Sequence, residues 1–222
     1  MNDNSKHRIP IFVIATTNEA KTAEIQRILL GRIHAIRPAC QLPVVDEIAD
    51  SLHGNALLKA WSAMRATGMP TLADDTALEI DALNGRPGLY TARFARAAGS
   101  FSVAAKELLR ELEGCDSTKR TARFRTAAVA VLPDGSEVTA WGILEGHIIN
   151  RSIGARGFGF DPIFNPVGTG GRTLAELSPD ESLAISHRAI AFRSLADSLK
   201  DLCIPCPRHF DLRSDCFSPD EG

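Results

Sequence analysis

Apolar and polar positions change period several times along the chain. Ile11-Phe12-Val13-Ile14-Ala15 is an unbroken apolar run with β-branched residues, the pattern of a buried strand, and the polar Thr16-Thr17-Asn18-Glu19 ends it. From Ala20 the spacing of Ile25, Ile28 and Leu29 predicts a helix. The chain therefore opens as strand, polar loop and helix, a junction that presents backbone N–H groups where anions bind. A second helix is predicted over Ser51 to Thr67, with Leu52, Ala56, Ala60 and Met64 on one stripe and Gly68 placed to end it. Asn55 and Lys59 share another face at i, i+4.

Thr71 to Ala73 and Leu78 to Ile80 read as strand on either side of Asp74-Asp75, which puts the acidic pair where an extended element ends or kinks. Asn84-Gly85-Arg86-Pro87-Gly88 is turn chemistry. Ser100 to Leu112 has helical periodicity through Val103, Leu108 and Leu112, with Gly114 to close it. Ala122 to Leu132 and Glu137 to Ile149 are strand-like, and Pro133-Asp134-Gly135-Ser136 joins them into a hairpin. Ser178-Pro179-Asp180-Glu181 is a capping box with Pro at the first helical position, opening one helix through Leu202 along Phe192, Leu195 and Leu199. Early alternation of strands and helices followed by a long hairpin predicts an α/β fold, a mixed sheet flanked by helices. No linker divides residues 11–202, so one unit with two lobes is expected, and the cleft between them is the default ligand site. Residues 1–10 read as a polar extension and residues 203–222 as a tail.

Composition narrows the function. With 222 residues, of which 44% are hydrophobic, the chain supplies a continuous core, and its formal charge of -2 gives no global attraction for a polyanion. Phosphate chemistry would need a locally organised pocket, and nucleic acid is not an expected partner. Met1 to Pro10 lacks the apolar core of a signal peptide, and no later run reaches the roughly 18 apolar residues of a membrane helix. The expectation is a cytoplasmic protein without a membrane partner. The five cysteines are Cys40, Cys115, Cys203, Cys206 and Cys216, an odd and scattered set best read as reduced thiols. Cys203-x-x-Cys206-x-x-His209 with Cys216 offers zinc-ligand types, but these spacings match no common module, and a Pro-containing surface tail is expected.

Four patches carry candidate chemistry: Thr16-Thr17-Asn18-Glu19-Ala20-Lys21, Asn55 with Lys59, Asp74-Asp75-Thr76, and Gly157-Phe158-Gly159-Phe160-Asp161 followed by Ser186-His187-Arg188. Taken singly each has a plain structural reading: a solvated lysine, a turn aspartate pair, a tight loop with core-facing rings, an exposed His-Arg pair. Taken in order they say more. Together with Asn55-Ala56-x-x-Lys59-Ala60, the run Ala73-Asp74-Asp75-Thr76 through Leu83-Asn84-Gly85-x-Pro87-Gly88-x-Tyr90-x-Ala92-Arg93, and Ala175-Glu176-Leu177-Ser178-x-x-Glu181, they resemble the inosine triphosphate pyrophosphatase family over about Ile11 to Leu202.

That resemblance implies an elongated two-lobed α/β fold with a central nucleotide-binding cleft, a homodimer, and Mg²⁺-dependent cleavage of ITP, dITP or XTP to the monophosphate and pyrophosphate. It implies Lys21 and Lys59 as triphosphate ligands with Thr16, Thr17, Asn18, Asn55 and Thr76 around them. Glu47 and Asp75 resemble the metal carboxylates, Asp75 also serving the attacking water and Asp74 lying beside it. Phe158 and Phe160 would stack on the purine, with Gly159 between them and Asp161, Ser182, His187 and Arg188 at its hydrogen-bonding edge. The sequence departs from the family in having Thr17 where Gly is usual, Ala77 for another Gly, and Ser182 where a base-contacting Lys is usual. A Lys only donates and favours a 6-keto purine, whereas a Ser hydroxyl donates or accepts. Two alternatives stay open: a paralogue acting on another purine triphosphate such as ATP, and a nucleotide-binding protein without turnover.

Overall fold

The computed structural model describes residues 11–38 and 41–200, so the extension 1–10 and the tail with Cys203, Cys206, His209 and Cys216 lie outside the described residues. The elements run β1 (Ile11–Ile14), α1 (Glu19–Leu29), β2 (His34–Ile36), α2 (Leu52–Thr67), β3 (Thr71–Ile80), β4 (Pro87–Gly88), α3 (Thr91–Ala97), α4 (Phe101–Glu111), β5 (Thr121–Val131), β6 (Glu137–Ile148), β7 (Phe164–Pro166), α5 (Pro179–Ile185) and α6 (His187–Leu199). Seven strands form one mixed sheet in the order β2-β1-β3-β5-β6-β7, with β4 on the end of β3. β1 pairs in parallel with β2 and with the start of β3, and the remaining pairs are antiparallel. The α/β class and the mixed sheet flanked by helices agree with the sequence reading.

Side-chain size explains the layers. Ala56, Ala60 and Ala63 let α2 approach Ala73, Val129 and Val131 closely on one face of the sheet. On the other face α1 and α6 bury Phe12, Ile25, Leu29, Phe192 and Leu195 around β1, β3 and β5. A Cβ at position 142 would run into the His187 carbonyl, so Gly142 is what lets α6 lie against β6. A separate core holds the far halves of β3, β5 and β6 with α3 and α4, through Leu78, Ile80, Leu108, Phe124, Phe160 and Phe164.

The helix predicted from Ser178 to Leu202 is two helices. Ser186 leaves helical geometry (φ −53°, ψ 134°), and its hydroxyl accepts from Arg188 N and Ala189 N to cap α6. The stripe of Phe192, Leu195 and Leu199 lies wholly within α6, and α5 has no buried residue, so the periodicity carries no information about the break. α3 escaped the periodicity reading because its seven residues carry only Thr91 and Ala95 as buried positions. The acidic pair also departs from expectation. Asp74 and Asp75 lie in the middle of an unbroken ten-residue strand, paired with Ala128 and Ala127 of β5. Their charges are met by side chains from both faces of the sheet, so the strand needs neither an end nor a kink there.

Candidate active site

A cleft of about 1060 Å³ runs from the β1–α1 loop past Asp75 and Thr76 to the segment around Phe158 and the α5–α6 junction. The alternation of β3 sends the two aspartates to opposite faces of the sheet. Asp75 points toward α2, where Asn55 Nδ2 donates to its Oδ2 (3.2 Å) and Lys59 Nζ to its Oδ1 (3.1 Å). The i, i+4 spacing of Asn55 and Lys59 is what lets both reach one carboxylate. Lys59 Nζ also donates to Glu47 (3.2 Å), in the irregular segment before α2, and Asn55 Oδ1 accepts from Ala49 N (3.0 Å), tethering that segment.

Asp74 points the other way. Its Oδ2 accepts from Lys21 Nζ (3.1 Å), Arg188 Nε (3.2 Å) and the Thr76 hydroxyl (3.1 Å), while its buried Oδ1 has no protein partner. Lys21 is delivered by the first turn of α1, which Asn18 caps by accepting from Lys21 N (3.1 Å), and Thr16 Oγ1 accepts from Asn18 N (3.2 Å). Thr17, at the departure from Gly, is exposed beside them.

Charge and burial compete here, and the balance differs between the two carboxylates. Burial pushes Asp74 up, but Lys21 and Arg188 outweigh it and hold the group far below the ordinary carboxylate range. For Asp75 burial prevails over Lys59 and Lys21, so its pKa lies above the ordinary value. Burial lowers Lys21, which shares Asp74 with Arg188, whereas Asp75, Asp74 and Glu47 together raise Lys59 against the same burial.

At the far end the geometry revises several single-residue readings. His187 and Arg188 are buried: His187 Nδ1 lies 2.6 Å from Thr126 Oγ1 and its ring stacks on Phe124 at 4.8 Å. Burial and the neighbouring Arg188 press its pKa well below the ordinary histidine value, so the ring is neutral. The Arg188 guanidinium, 2% exposed, is engaged by Asp74, Glu24 and Thr76. It is therefore a joint between α6, α1 and β3 instead of an exposed pair. Phe160 is 1% exposed and meets Phe101 edge-on (5.3 Å, 82°), so its faces belong to the core and it backs the cleft wall instead of stacking on a base.

Phe158 is half-buried with Arg188 over its ring at 5.4 Å. Gly157 (φ 71°) and Gly159 (φ 70°) shape this turn, and a side chain at 157 would strike the Asp161 carboxylate. Asp161 Oδ2 accepts from Phe158 N (2.9 Å), and burial lifts its pKa to about 7. Ser182, half-buried in α5, lines the same end.

Two connecting residues escaped the sequence reading. Glu24 takes the Ser186 hydroxyl (2.8 Å) and Arg188, and Thr126 bridges Thr76 (2.8 Å) to His187. Their signals were faint: a glutamate one turn after Lys21, and a lone hydroxyl in the apolar run of β5. Among the described residues no group of three or more His, Cys, Asp or Glu forms a metal cage, and Cys115 is a free thiol.

Comparison with known proteins places this geometry. The dITP/XTP pyrophosphatase of Caulobacter vibrioides is 40% identical over 191 residues, covering 86% of this chain and 98% of that protein. The dITP/XTP pyrophosphatase of Bacillus subtilis is 38% identical over 191 residues, covering 85% and 96%. Among solved structures, the HAM1 protein of Coxiella burnetii superposes with a TM-score of 0.77 at 34% identity, covering 87% of this chain and all of that one. A nucleoside-triphosphatase / dITP/XTP pyrophosphatase of Mycobacterium abscessus gives 0.67 at 37% identity, covering 86% and 99%. The model of the Ham1 family matches residues 12–198, so the chain belongs to the Ham1 family.

Proposed function

We propose that this chain hydrolyses non-standard purine nucleoside triphosphates, ITP, dITP and XTP, to the monophosphate and pyrophosphate with Mg²⁺. The observation that carries the reading is the network in which Lys21 and Lys59, on opposite faces of β3, are held by Asp74 and by Asp75 with Glu47 at the floor of the cleft. Each lysine is positioned by a carboxylate and can exchange that partner for a phosphate oxygen, a charge-assisted contact. The Thr76 hydroxyl and the Asn18 side-chain amide supply neutral donors alongside.

Glu47 and Asp75, brought together by Lys59 on one face of β3, are oxygen donors only, a pair that suits a hard divalent ion, and Mg²⁺ characteristically uses one or two carboxylates plus substrate phosphates. When bound, such an ion would offset phosphate charge near the α-phosphorus. Asp75, with its raised pKa and its orientation fixed by Asn55, takes a proton from the attacking water. The water oxygen bonds the α-phosphorus, the bond from that phosphorus to the bridging oxygen breaks, and pyrophosphate leaves with the electron pair. Phe158, Asp161, Ser182 and the neutral His187 line the end left for the base. Arg188 ties that end to the acidic pair.

The protein would work in the cytoplasm as a homodimer. Trp141 and Ile143, apolar and 43% and 46% exposed on one face of β6, support a covered surface there, and no helix among the described residues is long and apolar enough to cross a membrane. Pyrophosphate release measured over ITP, XTP, dITP, ATP and GTP, with Mg²⁺ and with EDTA, tests the reading. Mg²⁺-dependent release from ITP and XTP is expected; release from none of the five would overturn it.

A further inference from the structure

Nearly every cation in the cleft is already committed. Lys21 is held by Asp74, Lys59 by Glu47 and Asp75, Arg188 by Asp74 and Glu24, and Arg27 by Asp180, while Arg156 donates to the Glu176 carbonyl. The inner group thus sets three cations, Lys21, Lys59 and Arg188, against four carboxylates, Glu24, Glu47, Asp74 and Asp75. A triphosphate brings about four further negative charges, more than one divalent ion offsets. Additional positive charge has to come from the walls.

Arg93 differs from the others. Arg93 and Arg96, both on α3, line the cleft without an ion pair among the described residues, but Arg96 is exposed whereas Arg93 is half-buried, with its Nε buried and without a hydrogen-bond partner. The exposed Tyr90 ring holds its guanidinium at 4.3 Å, a contact that leaves the in-plane donors unused. Its backbone is well anchored. Thr91 accepts from Leu78 N (2.9 Å) and donates to the Gly88 carbonyl (2.6 Å), and Ala95 is buried against the core of Leu78 and Phe124. β1, which carries the Lys21 loop, joins β3 at Thr71 and Leu72, whereas α3 joins β3 at Leu78. The acidic pair lies between the two attachments.

We propose that Arg93 is a further substrate-binding residue, a guanidinium that engages the triphosphate from the α3 side of the cleft, across the acidic pair from Lys21. The assignment rests on the pyrophosphatase reading of the same site. Arg supplies a planar fork of donors suited to phosphate oxygens, and substrate would satisfy the buried Nε-bearing group that the protein leaves unpaired.

The test is equilibrium binding, in Mg²⁺, of a non-hydrolysable α,β-methylene analogue of ITP and of IMP to the wild type, Arg93→Ala, Arg93→Lys and the distant surface control Arg110→Ala, with thermal melts of each. Arg93→Ala should weaken the triphosphate analogue by about 10- to 150-fold, the range for one charge-assisted contact, and leave IMP within about twofold. Arg93→Lys should recover part of the loss, and Arg110→Ala should match the wild type. Undiminished analogue binding in Arg93→Ala, or equal loss for analogue and IMP in a variant that melts like the wild type, would overturn the assignment alone. Should Arg93→Ala fail to fold, Arg93→Lys decides by the same ratio. Failure of the wild type itself to bind the analogue would overturn the reading of the site as well.

Discussion

Arg188 and Asp74, 114 positions apart in sequence, form an ion pair in which the side chains are 2% and 0% exposed. Arg188 also reaches Glu24 and Thr76, so one guanidinium joins α6, α1 and β3 beneath the cleft. Removing one partner of such a pair leaves charge buried without compensation. Arg188→Met should therefore cost about 3–5 kcal/mol and lower the melting temperature by roughly 6–20 °C, read by differential scanning calorimetry. A melt within a degree or two of the wild type would show that the pair contributes nothing to the fold.

Asp75→Asn retains the shape and the bond to Asn55 but removes the proton acceptor and a charge opposite Lys59. Turnover of ITP should fall roughly 10²–10⁴-fold, the usual contribution of a positioned general base, while far-ultraviolet circular dichroism stays unchanged. Near-wild-type turnover would remove Asp75 from the chemistry.

Asp161 sets a pH signature on stability. Its folded pKa is about 7 against an ordinary value of 3.8, because burial and the nearby Glu24 outweigh Phe158 N–H and Arg188. Between these values the folded state holds a proton that the unfolded chain has released. The stability associated with the neutral carboxyl is thus complete below about pH 4, is lost as the pH rises through about 7, and changes no further above that. Urea denaturation of the wild type and Asp161→Asn across pH 5–8 checks this. The wild type should lose stability relative to the variant as pH rises, and parallel curves would contradict the shift.

Ser182 lines the end of the cleft proposed for the base, at a position where the resemblance leads one to expect a Lys. Ser182→Lys should raise the ratio of kcat/KM for ITP over ATP, because an ammonium facing the adenine N6 amine leaves a donor unmatched; the effect should be about 1–3 kcal/mol. An unchanged ratio would retire Ser182 as a determinant of specificity.

Much of this site was legible in the sequence where local rules apply. The strand, loop and helix around Lys21 follow from an apolar run and an Asn cap, and the shared face of Asn55 and Lys59 follows from helical geometry. The reading ran out where tertiary contacts decide. Asp74 and Asp75 sit mid-strand because cations 16 to 114 positions away meet them on both faces. The break at Ser186 is stabilised by its own hydroxyl, an ambiguity that periodicity does not resolve. Glu24 and Thr126 carried no motif at all, since their importance lies in what they join.

Hydrolysis of ITP in ¹⁸O-labelled water with Mg²⁺, followed by ³¹P NMR and mass analysis of the products, reaches the central claim most directly. Attack at the α-phosphorus predicts pyrophosphate without label and IMP carrying one ¹⁸O on its phosphate. Inorganic phosphate with IDP, or label in the pyrophosphate, would contradict it.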